Sequence, residues 1–217
     1  GADQVNLTTA DVTITTTGAG DNLTFTSLVD GRFDLTLNVA GATNFEGAVG
    51  SGGTGEIGDG TGAAITINSA GVTEFDSTLE TQSGITSANG AGAITFRGDV
   101  TLAAGDTATT LINAVTNLDG LTFTSAGAVT FGNAAGADQV NLTTADVAIT
   151  TTGGTSTLTF TSLVDGRFDL ALNVAGATNF EGAVGSGGTG EIGDGTGAAI
   201  TINSAGVTEF DSTLETQ

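Results

Sequence analysis

Apolar and polar residues alternate along this chain in short runs with a period of two, as in Val12-Thr-Ile-Thr15, Leu23-Thr-Phe25, Leu35-Thr-Leu-Asn38, Ile65-Thr-Ile-Asn68 and Ile94-Thr-Phe96. Alternation of this kind turns one face of a pleated strand inward and presents Thr, Asn or Asp on the other. It predicts strands over 5–9, 12–16, 23–26, 33–39, 65–68, 94–97, 100–102, 121–124 and 129–131. Ala-Gly pairs and the glycine-rich run 47–62 lie between strands, where a bend leaves no room for large side chains. No stretch approaches 18 consecutive apolar residues, so no membrane-spanning helix is expected.

The pattern itself recurs. Residues 1–82 return as 136–217 with an offset of 135, and only six of the 82 positions differ. Four of these are neighbours: Ala19, Gly20, Asp21 and Asn22 become Gly154, Thr155, Ser156 and Thr157. Clustered change in a glycine-rich stretch predicts an exposed loop. The other two, Thr13 against Ala148 and Thr36 against Ala171, sit between apolar residues and predict outward positions on a strand. Residues 1–135 therefore read as one full repeat and 136–217 as part of a second, continuous with the first.

A shorter echo lies within the unit. Segments 35–45, 65–75 and 121–131 share apolar-Thr-apolar, then Ala-Gly, then Phe four residues after the Gly, and 94–96 carries the first part alone. Starts 30, 29 and 27 residues apart imply five coils of about 27 residues per repeat. Such a coil cannot close a core by itself but can bury one by stacking. The fold expected is all-β, a parallel β-solenoid with Phe45, Phe75 and Phe131 in the interior and Asn38 and Asn68 near a bend. The competing architecture, a string of β-sandwiches of about 135 residues, requires no such echo.

Composition narrows the chemistry. Gly and Thr number 36 and 42, while Pro, Cys, Met, Trp, Tyr, His and Lys are absent. Disulfides, zinc sites, His-based triads and Schiff bases are excluded for lack of parts. Carboxylates such as Glu46, Glu74 and Asp76 are the remaining catalytic candidates, but with no aromatic platform for a sugar the chain reads as a non-enzyme. The run 52–62, with Glu56 and Asp59, and its copy with Glu191 and Asp194, are similar to glycine-aspartate nonapeptides that bind calcium between solenoid turns. Ile57 stands where such a motif needs Asp, so no cofactor is expected and these four acids are the weak metal candidates. Thr-x-Thr pairs such as Thr24 and Thr26, Thr122 and Thr124, or Thr159 and Thr161 do not recur at one place in every coil and read as ordinary outward strand residues.

The net charge is -21, yet 38% of residues are hydrophobic, enough for a core and against disorder. One 135-residue unit carries 14 Asp and Glu against two Arg, a net of -12. Five coils rising about 4.8 Å each spread that charge over about 24 Å, a density of the order of duplex DNA. Nucleic acid and anionic membrane are therefore not expected partners.

Segments 65–75 (ITINSAGVTEF) and 42–50 (ATNFEGAVG) resemble the Gly-, Thr- and Asn-rich arrays of giant filamentous-haemagglutinin-like and autotransporter-like surface proteins of double-membraned bacteria. The likeness covers the whole chain and is one of style and period. It implies a secreted right-handed β-helix at the bacterial cell surface, used for attachment or as a fibre, whose partners are neighbouring repeats of one long chain or identical subunits end to end. A self-assembling fibril subunit and a calcium-binding surface-matrix module are the alternatives.

Overall fold

A computed structural model describes residues 3–50, 55–103, 108–133, 138–185 and 191–217. Among these are 24 strands of three to five residues and no helix. All strand pairs are parallel, in the arrangement of a three-sided β-solenoid. Gln4–Leu7 opens the first face, Val12–Thr15 the second and Leu23–Phe25 the third, and the chain visits the faces in that order throughout. The second face stacks nine strands and the third seven. The first holds a pair and a run of six, joined by the single-residue bridges Val29–Val49 and Val49–Leu79.

Each strand is too short to be stable alone, and its neighbours above and below supply both hydrogen bonds and cover. Inward residues are mainly apolar, with buried hydroxyl residues such as Thr43, Thr73, Thr81, Thr109 and Thr178 among them, and seven phenylalanines, Phe45, Phe75, Phe96, Phe123, Phe131, Phe160 and Phe180, are sealed from solvent. Phe25, Phe45, Phe75 and Phe96 stack up the third face with nearly parallel rings, centroids 4.7 to 5.3 Å apart. Phe123, on the first face, then meets Phe96 and Phe131 edge-on at 5.9 and 5.7 Å. From Phe131 the stack climbs the second face through Phe160 and Phe180 to Phe210. Stacked and edge-to-face rings each add about 0.5 to 1.5 kcal/mol beyond area burial.

Coil length is shorter on average, and more varied, than the mean of about 27 residues expected. Ile65 pairs with Ile85 and Leu35 with Ile65, so successive layers of the second face lie 20 or 30 residues apart, and other steps fall between. The corners absorb the difference, because a loop lengthened there disturbs no strand pair. Ile94 does not continue the column of Ile65; it pairs with Thr73 on the third face. Phe131 is likewise not above Phe75, since its strand lies on the second face and that of Phe75 on the third. Seven strands of the first unit were not anticipated, among them Thr43–Phe45, Thr73–Phe75 and Leu79–Thr81.

The offset of 135 residues does not complete a whole number of turns. Gln4–Leu7 on the first face recurs as Gln139–Leu142 on the third, Val12–Thr15 on the second as Val147–Thr151 on the first, and Leu23–Phe25 on the third as Leu158–Phe160 on the second. Sixteen strands and the bridge at Val49 make seventeen positions per unit, three to a turn, or five and two-thirds turns. Each copy is thus set back by one face.

Candidate interaction surfaces

Outward residues form columns, because parallel in-register pairing places equivalent positions about 4.8 Å apart. On the second face Thr13, Thr36, Thr66, Thr86, Thr110, Thr130 and Thr159 stand in one column through seven consecutive layers. Asn179 and Glu209 continue it. The Thr66 and Thr86 hydroxyls lie 3.3 Å apart. Beside this column Asn68 donates to Asn38 Oδ1 at 2.9 Å, and Asn203 repeats the bond to Asn173 on the first face. The threonine column is hidden in the sequence, since its members are unevenly spaced at 20 to 30 residues.

The corresponding column of the third face is mixed, with Thr24, Asn44, Glu74, Thr95, Asn117, Asn141 and Asp165 in register. Asn117 donates to Thr95 Oγ1 and Asn141 to Asn117 Oδ1, both at 3.0 Å. Next to it the Arg97 guanidinium reaches three acids in the two layers flanking its own: Glu74 at 2.8 Å and Asp76 on one side, and Asp119 at 3.5 Å on the other. The hydrogen bond to Glu74 first, then that to Asp76, holds Arg97 still more firmly in its charged form.

Corners carry further acids. Asp34 Oδ1 accepts from the Asp59 backbone N–H at 3.4 Å, while the Asp34 N–H donates to Asp11 Oδ1 at 3.2 Å. Burial, and then the negative charges of Asp59 and Asp11, push its carboxyl above the usual aspartate range, against the pull of that N–H. Asp59 Oδ1 accepts from the Thr61 hydroxyl at 2.7 Å and the Thr61 N–H at 2.8 Å, which hold its carboxyl below the usual range. Asp194 and Thr196 repeat both bonds at 2.7 Å.

Three of the four acids singled out for calcium have hydrogen-bond partners of their own. Glu56 takes a hydrogen bond from Gln82, and the one donor-fixed oxygen of Asp59 closes its own turn. Asp194 does the same, and no group of three or more acids suited to a metal ion occurs among the described residues. Residues 51–54 and 186–190 of the glycine-rich runs lie outside the described residues. Ile57, which interrupts the motif, is wholly buried and bridges Thr81, so it anchors the loop to the core rather than facing an ion.

The substituted loop behaves as its variation requires. Residues 19–22 are exposed, with the Asp21 N–H bonded to the Gly18 carbonyl at 2.9 Å, and the Ser156 N–H bonds Gly153 the same way at 2.8 Å. Thr13 and Thr36 are paired outward neighbours, as are Ala148 and Ala171. On the first face an open depression is lined by Asp99, Thr122, Asp146, Ala148, Asp169 and Thr201. No protein-family profile, no curated protein and no solved structure matches this chain.

Proposed function

We propose that this chain is a length of a long, stiff, acidic fibre at the outside of a bacterial cell, a right-handed solenoid that makes attachment or cell-to-cell contact and carries out no catalysis. The observation that supports it most is that pairing continues across the two copies. Strands 115–118, 122–125 and 129–131 of one unit bond directly to 139–142, 147–151 and 158–160 of the next. Units joined in this way form one rod, whereas sandwich domains would form beads. Many weak contacts on a rigid rod add to a strong attachment without any single tight site.

Charge fits the same reading. Five and two-thirds turns rise about 27 Å, rather than the 24 Å of five even coils, and each unit brings a net charge of -12. Rods of such density repel one another and anionic surfaces, which keeps them apart and soluble. Electron microscopy and fibre diffraction of the native material test the proposal. A continuous fibre with an axial spacing near 4.8 Å is expected, and beads about 40 Å apart would overturn it. Antibody labelling of intact cells tests the location, and label that appears only after the cells are opened would refute it.

A further inference from the structure

We infer that successive copies of the repeat present the same surface to different sides of the fibre, so that globular partners wider than the axial step occupy every copy at once. The inference rests on the reading of the chain as a fibre of repeated contacts and adds the geometry of those contacts. It follows from seventeen strand positions per unit. Because seventeen is one short of six turns, each copy rises about 27 Å and is turned by a third of a revolution relative to the last.

The turn at Asp59 shows the consequence. It lies between Val49 on the first face and Ile65–Ile67 on the second, hence at the corner between these faces. Its copy at Asp194 lies between Val184, which bridges the third-face residue Val164, and Ile200–Ser204 on the first face. The two turns are the same structure, with the same Asp-to-Thr bonds and the same positive-φ glycines, Gly58, Gly60 and Gly62 against Gly193, Gly195 and Gly197. Asp59 and Thr61, Asp194 and Thr196 are all exposed. They therefore point from different corners of the triangle.

Crowding gives this arrangement its value. A globular domain of about 200 residues is on the order of 40 Å across. If copies returned to one side, two such domains about 27 Å apart would collide and only every second copy could be filled. With a third of a turn between neighbours, the same side recurs after three units and seventeen turns, about 82 Å along the axis, which leaves room. The partner that fits is a receptor-like globular protein that reads one repeat; a broad flat partner would touch only every third copy.

The test uses the 217-residue chain and a monovalent Fab selected to bind both of two single-site variants, D59A/T61A and D194A/T196A. Each variant leaves one turn intact and takes one Fab. The parent chain is expected to take two, doubling the bound Fab in light scattering coupled to size exclusion, with the arms leaving different sides of the rod in negative-stain images. A parent that takes one Fab, or two that leave the same side, would overturn the inference. Because the probe is an antibody and not a natural receptor, this outcome is independent of whether the fibre adheres to cells.

Discussion

Phe75 and Phe210 hold the same place in the repeat, yet Phe75 is 1% exposed and Phe210 37%. Val5 and Val140 differ in the same way, 42% against 1%. Sequence, strand and pairing partner type are shared; what differs is whether a layer lies on both sides. The two copies also occupy different faces, and the interior residues accept either one, since Phe45 and Phe180 are both fully buried although one belongs to the third face and the other to the second. Burial in this molecule is a property of the stack, and the three faces are interchangeable as far as the core is concerned.

The sharpest way to break that comparison is to remove a ring from each copy. F45A and F180A should each cost about 3 to 5 kcal/mol in urea unfolding, equal within about 0.5 kcal/mol. A clear gap between them would mean that the faces are not equivalent. F75A should cost as much, and F210A far less, because the latter ring is already part-exposed.

A smaller effect comes from two glycines where adjacent layers approach closely. Gly31 and Gly166 have φ of 130° and 141°, and a Cβ at either would collide with the Leu7 or Leu142 backbone. G166A should destabilise by about 1 to 3 kcal/mol. G31A should loosen chiefly the layer of Leu7, read as faster amide exchange at Gln4–Leu7 with little change in the global midpoint. Equal global losses at both sites would show that the outer layer is as firmly held as the inner ones.

Arg97 lies in the part of the unit present only once, so it tests a face rather than a copy. R97Q leaves Glu74, Asp76 and Asp119 to repel one another on the third face. A loss of about 1 kcal/mol at low salt that shrinks at about 0.5 M NaCl is expected. A loss insensitive to salt would mean that the guanidinium acts through packing.

The smallest effects are those of pH. The Asp59 and Asp194 carboxyls titrate below the ordinary aspartate value of 3.8, so their stabilisation is present above that value and is lost as pH falls through their lower folded values. D59N and D194N should thus lower Tm slightly at pH 7, by the same amount in both copies, and not at all in strong acid. Asp34 has the opposite sign, since its folded carboxyl titrates above 3.8. Its charge opposes folding at neutral pH, so D34N should raise Tm at pH 7, and the gain should fade as the parent takes up its proton on acidification. A D34N chain less stable than the parent at pH 7 would show that the Asp59 N–H bond outweighs the repulsion.

Much of the fold was legible where apolar residues alternate cleanly. Val12–Thr15, Leu35–Asn38 and Ile65–Ile67 were found within a residue or two, and the 30-residue step from Leu35 to Ile65 is a true layer spacing. Five of the seven strands missed contain an inward threonine. Thr43 and Thr73 are wholly buried, and with a polar residue at an interior position Thr43-Asn-Phe45 and Thr73-Glu-Phe75 show no apolar alternation. Missing those strands lengthened the apparent coil to 27 and hid the one-face shift. The outward role of Thr13 and Thr36 was readable because the second copy tolerates Ala there. The columns on the surface were not readable, because they depend on a register that only backbone pairing sets.

The seventeen strand positions of the unit also bear on inheritance. A repeat needs to contain a whole number of strands, not a whole number of turns, for one copy to follow another without a misfit. Recombination that adds or deletes a unit therefore rotates everything beyond it by a third of a revolution and leaves every junction unchanged. The number of units can change while the fold at each seam stays the same.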